Sequence, residues 1–221
     1  MASLDNKNNA GPVKNVKDRL LDAAEGLFCE QGFKGTSIRD IASSAGCNIA
    51  SVNYYFGSKE KLYEKVWQRY LIPMRDARIA SINKVMSQAK AQPNLEDLLR
   101  SFADTFVGSM VDTSRASRLS KLMAREYIDS HLPTNMFVNE VMTPIITAIH
   151  RALVKTCPDL DESKILLMVF SVVGQLVHLV HIKTMFEHGG DDLSMPIFDS
   201  DEAINHIVKF SAAGIRAYTD K

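Results

Sequence analysis

Apolar residues recur at three- and four-residue spacing along almost the whole chain, and no stretch alternates apolar with polar residues between hairpin turns. This pattern predicts an all-α protein. Val16, Leu20, Ala23, Ala24, Leu27 and Phe28 share one face of a first helix that Gly32 closes. Ile38, Ile41, Ala42 and Ala45 mark a short second helix, broken at Gly46. A third is predicted from about Asn48 to Phe56, with Ile49, Val52 and Phe56 inward and Gly57 stopping it. Ser58 caps a fourth, Ser58–Leu71, carrying Leu62, Val66 and Tyr70. After Pro73 longer helices are expected: Met74 to about Lys90, Leu95–Val111, Leu119 to about Ser130, and Asn135–Thr156 with Pro144 kinking or restarting it. Two more follow, Glu162–Glu187 and Asp201–Tyr218. The polar residues 1–15 read as a tail and 189–200 as a loop. The domains drawn from this are a three-helix N-terminal domain at 16–63 and a larger helical C-terminal domain at 64–221.

Composition narrows the class without naming a function. The 221 residues are 46% apolar and 24% charged, ordinary for a globular chain that buries a core without staples. The net charge is zero, but residues 1–70 hold ten Lys and Arg against eight Asp and Glu, a mildly basic N-terminal part. Three cysteines, Cys29, Cys47 and Cys157, form no C-x-x-C pair, so a disulfide framework is not expected and a cytoplasmic setting is. The most apolar run, Ile165–Ile182, contains Ser171, Gln175, His178 and His181; it reads as a buried helix and not a membrane span. No G-x-S-x-G, phosphate loop or H-E-x-x-H is present, and neither an enzyme nor a cofactor is expected. His178 and His181 lie three apart with Glu187 and His188 following, but on so apolar a helix they read as packing residues and not metal ligands.

The informative segment is Thr36–Phe56. Two helices crossing steeply need a small residue at the crossing, supplied by Ala42, and a turn residue tolerant of positive φ, supplied by Gly46 four positions on. Val52, six positions later, packs the second helix back. The face then left outward holds Asn48, Ala50, Ser51, Asn53 and Tyr54, with Tyr55 reading equally as outward or as packed. It is polar, aromatic and free of acid, which suits a helix in the major groove. Asn48 is expected at a base edge, Lys59 at a phosphate near a helix N-terminus, and Thr36 and Arg39 in support.

The run Gly32-Phe33, Thr36-Ser37-Ile38-Arg39-Asp40-Ile41-Ala42, Ala45-Gly46 and Val52-Asn53-Tyr54-Tyr55-Phe56-Gly57-Ser58-Lys59-Glu60-Lys61-Leu62 resembles the signature of the tetracycline-repressor family over residues 16–64. Asn53 departs from it, since many members have tyrosine there, and this bears on operator choice. Ala124-Arg125-Glu126, Leu132-Pro133-Thr134 and Phe137 resemble a C-terminal domain of one subgroup. The resemblance implies a regulator that binds a palindromic operator as a homodimer and is released by a small hydrophobic or amphipathic effector. It implies a cavity in the second domain, for which Phe102, Phe106, Met110, Met123, Met142 and Ile146 are the apolar candidates and Gln175, His178 and Arg125 the polar ones. Core filling is the plainer reading of the methionines. The last two helices, through Ile165, Val169, Val173, Gly174, Val177, Val180, Ile204, Val208, Ala212 and Ile215, are the expected dimer interface. The alternatives are a DNA-organising protein of the same fold, whose C-terminal domain binds a protein partner, and a helical enzyme with an incidental helix-turn-helix.

Overall fold

The structure, a computed structural model, describes residues 15–110, 113–187 and 199–219. Residues 1–14 and most of the 189–200 stretch, read above as tail and loop, lie outside the described residues. Among the described residues there is no strand. The chain divides into two compact units: residues up to Gln68 with Arg118–Leu132, and Arg69–Ser117 with the chain from Pro133 onward. The sequence had assigned all of 64–221 to one domain; residues 118–132 instead pack with the N-terminal helices.

The first unit is built from α1 (Val16–Gly35), α2 (Ile38–Ser44), α3 (Ile49–Phe56) and the start of α4 (Lys59–Gln88). The C-terminal part of α6 (Thr113–Ile128) completes it. Asn15 caps α1 by accepting from the Asp18 amide at 2.9 Å. Gly32, at φ +74°, kinks its end. Leu20, Ala24, Phe28, Ile41, Ala42, Val52, Phe56, Leu62, Val66, Trp67, Leu119 and Leu122 are buried together. Each large aliphatic among them contributes about 1.5–3 kcal/mol by leaving water. Polar ties secure α6 to this core. Arg118 pairs with the buried Glu25 at 2.9 Å. Tyr63 donates to Glu126 Oε1 at 2.5 Å, and Glu126 Oε2 accepts the His131 and Leu132 amides at 2.9 Å. Burial and this acceptor raise the Tyr63 pKa, keeping the phenol protonated.

In the second unit α5 (Leu95–Gly108), α8 (Thr143–Thr156), α9 (Ile165–Glu187) and α10 (Ser200–Arg216) surround a core with the C-terminal part of α4. Between α6 and α8 lie the single turn α7 (Thr134–Met136) and a π-helical turn, Phe137–Met142. Arg216 makes a bidentate pair with Glu96 at 2.6 and 2.7 Å, and Arg100 joins Asp104, Asp201 and Asn205, fastening α10 to α5. The two prolines behave differently. Pro73, expected to separate two helices, lies inside a continuous α4. Pro144 opens α8 just after the π turn. Its ring removes an amide donor, and Arg75 Nη1 donates at 2.8 Å to the carbonyl of Glu140, the acceptor four residues back.

Candidate nucleic-acid interface

The helix-turn-helix is framed by local backbone chemistry. Ser37 and Asp40 form a reciprocal capping box at the start of α2, and accepting from Ser37 holds the Asp40 carboxyl below its usual range. At the other end the Cys47 amide bonds Ala42 O at 2.8 Å and the Gly46 amide bonds Ser43 O at 3.0 Å, with Gly46 at φ +61°. That double closure is the Schellman arrangement, and it requires a residue at ease with positive φ. Ala42 is 1% exposed where the helices cross. Asn48 caps α3 by accepting from the Ala50 amide at 2.9 Å, and Gly57 at φ +80° ends it.

With Val52 and Phe56 buried, α3 turns Asn48, Ala50, Asn53, Tyr54 and Tyr55 to solvent, while Ser51 is half-buried. Tyr54 is 82% exposed, and its ring meets that of Tyr55 edge-on at 5.0 Å. Ile49, expected inward, is 42% exposed, and Val52 and Phe56 are the α3 residues that fill the core. No acidic side chain occurs on α3, and Arg39 is exposed on neighbouring α2.

Three expected contacts are placed differently. Thr36 is 1% exposed, and its Oγ1 donates to Gly32 O at 2.8 Å, closing the end of α1 instead of facing a partner. Lys59 is half-buried; its ammonium donates to Phe33 O and Thr36 O at 3.0 Å and lies 4.2 Å from the Phe33 ring centre. It neutralises carbonyls at the α1 terminus, where the helix dipole is negative, leaving one N–H. Asn48 uses its side-chain oxygen as the α3 cap, so only its amide NH2 is uncommitted. A base-edge contact from Asn48 would therefore have to use that NH2 alone. None of these roles was visible as spacing, because each depends on a main-chain group.

The comparisons with known proteins agree with this geometry. Residues 20–66 match the family described as bacterial regulatory proteins, tetR family, and residues 95–215, more than half the chain, match the C-terminal domain of the HTH-type transcriptional dual regulator CecR. The chain is a TetR-family transcriptional regulator.

CecR of Shigella flexneri is 25% identical over 170 residues, covering 74% of this chain and 75% of that protein. Shorter matches to YttP of Bacillus subtilis, 33% over 86 residues, and to the negative transcriptional regulator IcaR of Staphylococcus aureus, 44% over 50 residues, span 40% and 27% of those proteins. They cover 39% and 23% of this chain. The crystal structure of a TetR-like regulator from Rhodococcus sp. RHA1 superposes with a TM-score of 0.58 at 17% identity, over 94% of this chain and 99% of that one.

In this TetR-family chain the second-unit candidates sort by burial. Phe102 and Phe106 are buried; Met110, Met142, Ile146 and Gln175 are half-buried; His178 is exposed. Met123 is half-buried on α6 within the first unit. Gln175 donates to Ser171 O and Ser211 Oγ, tying α9 to α10, and Arg125 donates to Glu30 O at 2.5 Å in the first unit. The interior void, lined by Ile82, Leu98, Leu99, Phe102, Ile149, Leu153, Met168, Val169, Val172 and Ile215, is only about 20 Å³, about the space of one water. This void is too small to hold an effector as it stands.

The interface expectation needs the larger correction. Ile165, Val169, Ile204, Val208, Ala212 and Ile215 are all buried within one chain and face its own core. Val173 and Val180 are half-buried, and Gly174 and Val177 are exposed. Among the described residues, the large apolar side chains left outside are Leu166, Leu167, Phe170 and Val177 on α9 and Phe210 on α10, between 46% and 64% exposed. By length and composition Glu162–Lys183 is apolar enough to cross a membrane, yet Ile165, Met168, Val172 and Leu176 on it are buried among the neighbouring helices.

Proposed function

We infer that this regulator is a repressor that binds a twofold-symmetric operator as a homodimer, with α3 in the major groove, and is released by a small, mainly hydrophobic effector. The observation that carries the DNA reading is the exposed, acid-free face of α3. Asn53 and Tyr54 stand outermost for base-edge and phosphate contacts, and Arg39 and Ser51 flank them. One helix of 8 residues contacts too few bases for tight specific binding, which favours a symmetric pair. The surface best suited to form it is the outward stripe Leu167, Phe170, Gly174 and Val177, spaced three and four apart on α9, with Phe210 on α10. The name of IcaR, a negative regulator, supports repression.

Replacing Asn53 and Tyr54 together by Ala is expected to weaken operator binding at least about tenfold in anisotropy titrations. Unchanged affinity would remove α3 from the groove.

The small size of the interior void favours a second reading, the DNA-organising protein whose C-terminal domain binds a protein partner. The two differ in genomic occupancy: a few promoter-proximal sites for the repressor, many dispersed sites for the organiser.

A further inference from the structure

The interior of the second unit holds one charge that its own chemistry does not explain. Arg78, on α4, is 9% exposed. Its guanidinium carbon lies 4.0 Å from the centre of the Phe106 ring, and Nε and Nη2 are buried without a hydrogen-bond partner. Burial alone pulls its pKa down to about 10, with no carboxylate among the causes. Arginine is almost never buried unless paired, because its five N–H groups lose water and need acceptors. An aromatic face offers part of that compensation and accepts none of the in-plane N–H bonds.

Arg78 does not itself line the apolar void, but it and its ring partner each stand one helical turn from a residue that does. Ile82 is one turn along α4 from Arg78, and Phe102 is one turn along α5 from Phe106; both line the apolar void. Ile82 also lines an open groove of about 530 Å³ between α4 and α8, so one side chain borders both spaces. Shifting Ile82 would open the void toward the groove, and the pliable Met168 could give way to enlarge the void.

We propose that Arg78 is the anchor for the carboxylate of an amphipathic monoanion, whose apolar part occupies the enlarged void beside Ile82 and Phe102. This rests on reading the second unit as the effector domain and specifies the effector's class. The single charge of the guanidinium suits one negative charge, and its planar fork matches a carboxylate in two parallel N–H bonds. The apolar lining excludes a purely polar anion.

The test is thermal denaturation and calorimetric titration of the full chain without DNA, using decanoate against decanol and 3-phenylpropionate against 3-phenylpropionamide. At least one acid is expected to raise the melting temperature and to bind about tenfold or more tighter than its neutral partner. Arg78→Met should abolish that preference while melting, unliganded, no lower than the wild type, since it removes an uncompensated buried charge. Arg78→Lys should retain a weaker preference. Equal shifts for acid and neutral partner, no shift with any probe, or an acid preference surviving in Arg78→Met would overturn the proposal. Operator binding by the unliganded wild type is measured separately, so a failure of the DNA reading is not mistaken for a failure at Arg78.

Discussion

At the residue scale, Lys59 shows how a charge that looks available from sequence is used internally. Its ammonium joins Phe33 O, Thr36 O and the Phe33 ring, so it ties the end of α1 to the start of α4. Lys59→Ala is expected to lower the stability of the protein by about 1–3 kcal/mol, seen in urea denaturation, because two carbonyls lose a charged donor. A fully stable Lys59→Ala protein with a reduced salt slope for DNA would instead return the residue to the phosphate role. The cysteines give a second check. Cys29 is 5% exposed, and desolvation, helped by Glu25, raises its thiol pKa to about 11. Cys47 and Cys157 are half-exposed. In native protein at neutral pH, a thiol reagent should label Cys29 last, and only on unfolding. Rapid labelling of Cys29 would mean that α1 opens locally.

At the element scale, the short N-terminal helices were legible because their ends are written in residue type. Asn15, Ser37 and Asn48 cap, Gly46 and Gly57 close, and Ala42 is small where the helices cross. What was not legible depends on tertiary partners. Pro73 stays within α4 although proline usually ends a helix, and the sequence offers no sign of the packing that holds it. The facing of α9 was equally hidden. Apolar residues run around nearly its whole circumference, so periodicity cannot choose which stripe meets the core. Ile165 and Val169 face inward while Leu167 and Phe170 face outward, the reverse of the interface expectation. The consequence is testable: Phe170→Glu with Phe210→Glu should convert a dimer to a monomer in sedimentation experiments, because each buries a charge against its symmetry mate. A monomeric wild type at micromolar concentration, or a dimeric variant, would rule this surface out.

At the scale of the whole molecule, the central claim is that an exposed α3 face, presented twice by a dimer, reads DNA sequence. The outward side of α3, with Ala50, Asn53 and Tyr54 exposed, was legible in the sequence because a helix-turn-helix is a local motif whose spacings are fixed over about twenty residues. The lining of an interior space was less legible, since it is assembled from helices distant in sequence: of the candidates only Phe102 borders the void in the second unit. Arg78 was missed altogether: an arginine among apolar residues reads as surface until its burial is known. The most direct measurement is selection of bound duplexes from a random DNA pool by the full chain, followed by titration of the recovered sequences. The account predicts an enriched inverted repeat whose half-sites lie about one helical turn apart, roughly 10–10.5 base pairs or a multiple of it. Recovery of no enriched sequence, or of a single unrepeated half-site bound as tightly as the repeat, would contradict it.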